Sequence, residues 1–135
     1  MLQSHSYGFG KIVNMSVEHA EARVTETLKE KGFGILTRID VAATLKQKLG
    51  ADMPPYVILG ACNPPLAHQV ITAEPEVGLL LPCNVIVYQD ANQQVHISAM
   101  DPEPVMSMID NALIVPIARK VRALLQDALE AVTDR

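Results

Sequence analysis

The stretch "YVILGACNPPLAHQV", residues 56–70, changes character at one point, and that change sets the fold class. Tyr56 to Cys62 is an uncharged run with Val, Ile and Leu at its centre, bounded by "MPP" before it and by Asn63-Pro64 after it. A bounded apolar run of that length reads as a strand, here one covered on both faces. Asn63 and Pro64 then read as a helix start. An asparagine amide oxygen can accept an N–H of the first turn, and a proline at the first helical position gives up an N–H that has no partner there. The helix is expected from 64 to about 73. A strand stops and a helix opens within two residues, so the chain is a mixed β and α protein.

Upstream, "YGFGKIV" (7–13) reads as a first strand with glycines in it. Ser16 can cap a helix over 17–31, whose Val17, Ala20, Val24 and Leu28 recur at helical spacing before Gly32 ends it. "FGILTRI" (33–39) alternates as a strand with one wetter face. Asp40 caps a short helix with Val41, Leu45 and Leu49 on one side, stopped by Gly50. Downstream, "NVIVYQ" (84–89), a turn around "DANQ" and "QVHISAM" (94–100) read as a hairpin. "DPEPVMSMIDN" is irregular or a single helical turn. Pro116 opens a last helix to about 132, with Ile117, Val121, Leu124, Leu125, Ala128 and Val132 as its buried stripe. The order is β-α-β-α-β-α-β-β-α: an α+β fold, a two-layer α/β sandwich, in one domain over 1–135.

Composition supports this and narrows the function. Apolar residues make up 49% and charged residues 19%, enough to build a core without staples. Trp is absent and aromatics are scarce, so the core is aliphatic. Residues 1–68 carry 7 basic and 6 acidic side chains, and residues 69–135 carry 4 and 9. That acidic second half argues against a nucleic-acid partner, which needs a clustered basic surface. The N-terminus has no basic start followed by an apolar stretch, and the uncharged stretch 77–89 falls short of the ~20 residues that span a bilayer. A cytosolic protein without a membrane partner is expected, with its two cysteines as thiols.

No phosphate loop, dinucleotide fingerprint, zinc-protease helix, nucleophile elbow or paired-cysteine redox motif is present. The candidates for chemistry are therefore single residues. Cys62 lies at the carboxyl end of a strand, one residue before a helix N-cap, where the unpaired N–H groups and the helix dipole favour a thiolate. The alternative is a small buried residue filling a gap. Cys83, in "LLPCNVIVY" (80–88), shares an alternation face with Val85 and Val87 and reads as core. Were the two sulfurs close, they could cycle with a disulfide or bind a soft ion such as Cu(I). His68, about one and a half turns into the helix after Cys62, could act as a base or ligand nearby, and the competing, favoured reading is a surface or interface histidine. Met100, Met106 and Met108 read as gap-fillers. Asp101 can make an Asx-type turn ahead of Pro102.

"GACNPPLA" at 60–67, "LLPCNV" at 80–85 and the Met100-Asp101-Pro102 turn, with the amphipathic C-terminal helix, resemble the family of domains of unknown function numbered 302. The resemblance covers roughly 10–132. It implies helices packed on a largely antiparallel sheet and assembly as a homodimer, and it implies no activity. Cys62, Asn63, Cys83, Asn84 and Asp101 match the family's pattern.

Three functions stay open on this reading. The first is a non-catalytic homodimer binding a small ligand or partner near the strand ends, through Cys62, Asn63, Cys83, Asn84, Asp101 and His68. The second is a thiol-dependent redox protein or sulfur carrier, with Cys62 as nucleophile and Cys83 as resolving thiol. The third is soft-metal binding. No cofactor is called for. The exposed-looking Val, Met and Ile of 104–118 mark the expected dimer interface.

Overall fold

A computed structural model describes residues 1–134. Its framework is one antiparallel sheet of six strands: β1 (Gln3–His5), β2 (Gly8–Val13), β3 (Gly34–Asp40), β4 (Tyr56–Cys62), β5 (Cys83–Gln89) and β6 (Val95–Met100). They lie side by side in the order β1-β2-β6-β5-β4-β3, every neighbour antiparallel. The hairpin of β5 and β6 and the antiparallel arrangement are as expected. Strand β1 is an addition: its three residues, Gln-Ser-His, are polar and exposed, and so short a segment has no period to read.

Strand alternation sorts the side chains to two faces. Val57, Leu59 and Ala61 of β4, Cys83, Val85 and Val87 of β5, and Val95, Ile97 and Ala99 of β6 are buried on one face. The helices α1 (Val17–Glu30) and α5 (Ile114–Glu130) pack on it, and Phe9, Leu28, Leu125 and Leu129 complete an aliphatic core. The opposite face carries Tyr56, Ile58, Ile86, Tyr88, His96 and Ser98, all half-buried. Strand β4 is thus covered on one face rather than both, because an antiparallel sheet can leave a face to solvent. Across that open face Tyr56, Tyr88 and His96 pair in register and stack ring on ring, at 5.3 and 4.6 Å.

Local signals set the helix ends. Ser16 accepts the His19 N–H at the start of α1, and Asp40 accepts the Ala43 N–H at the start of α2 (Val41–Leu49), which Gly50 ends in the left-handed conformation. The irregular stretch contains a single short helix, α4 (Pro102–Met106). Helix α5 begins at Ile114, two residues before Pro116, so the proline lies inside the first turn, where its missing N–H is also unneeded. Ile114 and Ala118 of α5 join Val70, Val77 and Met106 in a second, smaller cluster beyond the main core. Lys11 of β2 donates to the carbonyls of Glu130 and Val132, so a cation satisfies the carbonyl-rich end of α5. Among the described residues, no helix is long and apolar enough to cross a membrane.

Candidate functional site

Helix α3 (Pro64–Ala73) leaves the end of β4 and is followed by a 3-10 turn (Pro75–Leu80) that returns the chain to β5 through a cis Leu81–Pro82 bond. Between α3, the ends of β4 and β5, and α4 lies a cavity of about 280 Å³. Ala61, Cys62, Asn63 and Cys83 form the strand-end wall, Leu66, Ala67, Val70 and Ile71 the α3 wall, and Phe33, Leu36, Leu81, Pro82, Met106 and Val121 the remainder. Among the described residues, no charged side chain lines it.

The cysteines reach this cavity from different sides of the sheet. Ala61 pairs with Cys83, so Cys83 shares the helix-covered face, whereas Cys62 belongs to the row of Gly60 and Ile58 on the other. The cavity wraps the end of the strand pair and meets both. Neither is in a disulfide; Cys62 is half-buried and Cys83 buried. Burial pushes the Cys83 thiol up to about 11, and a negative charge on Cys62 would push it further in the same direction. Cys83 is therefore a neutral thiol at any physiological pH, the opposite of an activated one.

The start of α3 does not supply the donors that the sequence promised to Cys62. Asn63 is the N-cap, its Oδ1 accepting the Leu66 N–H at 3.4 Å, as read from the sequence. Its Nδ2 donates to the Lys31 carbonyl at 3.4 Å, tying the helix start to the end of α1. Pro64 and Pro65 have no N–H, and the Ala67 N–H goes to the Asn63 carbonyl at 2.8 Å. Three of the four orphan N–H positions at this helix start, 64 to 66, are thus either absent or used. A helix start with two prolines and its Leu66 N–H already taken is poorly suited to a thiolate or any other anion.

Cys62, Asn63 and Cys83 are the sequence-derived candidates that the fold brings together. Asn84 follows Cys83 and so points to the open face, where it is exposed beside Ile86, Tyr88 and Met100. His68 is exposed on α3 and does not line the cavity. Asp101 caps α4 and pairs with Arg122 of α5, away from the cavity. Among the described residues, no three of His, Cys, Asp and Glu gather as metal ligands. Sequence reasoning missed the α3 wall and gave Met106 only a packing role. The signal for the wall was Ala67 and Ile71, four residues apart and flanking the Leu66–Val70 stripe on α3.

The family "Domain of unknown function DUF302" matches residues 9–132. The chain is similar to a solved structure described as that of an uncharacterized conserved protein DUF302 from Bacillus stearothermophilus. The two share 31% identity and a TM-score of 0.85, over 91% of this chain and 95% of that one. No curated protein matches.

Proposed function

Starting from the fact that the chain belongs to the DUF302 family, whose description assigns no activity, we propose that it is a non-catalytic binder of a small, uncharged, apolar molecule at the Cys62–Asn63 cavity. The observation that carries this is the lining: apolar side chains, two thiols, a thioether and one amide, with no charge and no general base. Apolar cavities hold apolar ligands; an engineered one of about 150 Å³ binds benzene. By that measure a space of about 280 Å³ takes about two fused rings or a chain of about ten carbons. A thiol-dependent reaction has less to work with, since Cys83 is held neutral and no imidazole or carboxylate lines the cavity to activate Cys62.

The same proposal makes the protein a cytosolic homodimer without a nucleic-acid partner. Two cysteines outside any disulfide and the acidic second half of the chain support the location and the exclusion. Exposed apolar side chains near α4 support the dimer.

A naphthyl dye whose emission rises in apolar surroundings tests the ligand reading. The protein should bind it at one site per chain, and medium-chain alcohols should displace it. Ala67→Phe, which fills the α3 wall, should abolish binding while circular dichroism stays unchanged, and Asn84→Ala on the open face should bind as the parent does. Equal binding by Ala67→Phe and the parent would refute the assignment.

A further inference from the structure

We propose that the ligand of the Cys62–Asn63 cavity is an apolar ketone, a neutral carbonyl oxygen carried on a hydrocarbon chain, held by the side-chain amide of Asn63. This assignment rests on the apolar-ligand reading and names the polar group that such a ligand carries. Asn63, half-buried, supplies the one amide among the side chains of the lining. Every other polar side-chain atom there is a sulfur, in Cys62, Cys83 and Met106.

The hydrogen bonds of that amide leave a donor over. Asn63 Oδ1 accepts the Leu66 N–H and Nδ2 donates to the Lys31 carbonyl, each at 3.4 Å. An amide nitrogen carries two hydrogens, and among the described residues only one of these has a partner. Both bonds are longer than the usual range of about 2.7–3.2 Å, so neither holds the group firmly against a better partner. Gly32, at φ 87°, leaves the amide its space: a Cβ there would lie 3.0 Å from Nδ2.

The rest of the lining decides against other polar groups. A carboxylate or an ammonium would enter without a counter-charge, and an unpaired charge is the costliest group to take out of water. A hydroxyl can accept from Asn63 but brings a hydrogen of its own. Among the described residues no carboxylate or imidazole lines the space to take it, and Asn63 Oδ1 already has the Leu66 N–H. A hydrocarbon fits the walls but leaves the amide hydrogen desolvated and unpaired. A ketone oxygen accepts one hydrogen bond and brings no hydrogen to satisfy. Burial keeps Cys83 protonated, so its thiol adds a weak donor and no anion to the same inventory. Binding makes and breaks no covalent bond.

Displacement of the naphthyl dye by eight-carbon probes, methyl hexyl ketone, octanol and octene, tests the assignment. Asn63→Ser and Asn63→Asp both keep a first-rank helix cap while removing the amide N–H. In Asn63→Ser the ketone should weaken by about two- to tenfold, the net worth of one neutral hydrogen bond, while octene is unchanged. In Asn63→Asp octanol should gain on the ketone, because the new carboxylate accepts its hydrogen. In the unaltered protein the infrared carbonyl band of the bound ketone should lie at lower wavenumber than in octane, so a variant that fails to fold leaves the question decided. If neither ketone nor octene displaces the dye, the apolar site and the ketone assignment fall together. If both displace it, two results sink the ketone assignment alone and leave the apolar site standing. One is a bound carbonyl band at its octane position; the other is equal loss of ketone and octene in Asn63→Ser.

Discussion

Both oxygens of the Asp101 carboxylate are engaged. It accepts the Glu103 N–H at 3.0 Å and the Arg122 Nε–H at 2.9 Å, with 5% of the residue exposed, and the Arg122 guanidinium lies 5.8 Å from the Phe9 ring centroid. This side chain ties the end of β6 to α5, and it does not line the cavity. Removing one partner of a fully buried ion pair costs about 3–5 kcal/mol. Arg122 is 31% exposed and stays partly hydrated, so Asp101→Ala should cost less, about 2 kcal/mol. Urea unfolding would read this as a lower midpoint at an unchanged slope, and dye binding at the cavity should persist below the transition. A midpoint equal to that of the parent would show the pair to be idle. The sequence made the local half of this residue legible, since an Asx turn ahead of a proline involves only neighbours. The other half depends on Arg122, 21 residues away, and no local pattern reports that pairing.

At the scale of elements, the Cys-Asn repeat resolves into two different events. In the first, Asn63 caps a helix; in the second, Asn84 is the outward residue of a strand whose inward row is Cys83, Val85 and Val87. Period-two alternation fixed that inward row in advance, which is why Cys83 as core was readable and a shared asparagine role was not. The two prolines after Asn63 were equally readable, yet their consequence for the first-turn N–H groups emerges only when Pro64, Pro65 and Leu66 are taken together. Gly60 shows what β4 demands beside the cavity. A Cβ there would lie 2.8 Å from Pro82 Cγ and closer still to Thr37 Oγ1, so the strand can approach both neighbours only without a side chain. Gly60→Ala should destabilise the fold by about 1–3 kcal/mol, the usual range for overpacking. It should also weaken dye binding, because Pro82 lines the cavity. Thr37→Ala in the same chain should recover part of the stability. No recovery would place the strain at Pro82 alone.

On the scale of the whole molecule, what the sequence concealed is strand order. Strands β2 and β6 pair along their full lengths although Phe9 and its partner Ala99 are 90 positions apart, and β5 lies between β4, which ends at Cys62, and β6, which leads to Asp101. Hydrophobic period identifies a strand but not its neighbour, so the elements were legible and the distance between Cys62 and Asp101 was not. The expected interface over 104–118 is a question on this same scale. Met108, Leu113 and Val115 expose 71%, 66% and 45% of their surface along one short stretch, a concentration unlike the scattered apolar residues of an ordinary surface. A stable pair buries about 800 Å² on each partner, and this stretch supplies the apolar centre that such an area needs. The wild type should therefore sediment as a dimer at micromolar concentration, and Met108→Glu with Leu113→Glu should convert it to a monomer. Neither residue lines the cavity, so dye binding should survive the conversion. A wild type that sediments as a monomer would refute the interface. A dimer that withstands both glutamates would move it elsewhere, with the open face of the sheet around Ile12, Ile39 and Ile86 the next surface to test.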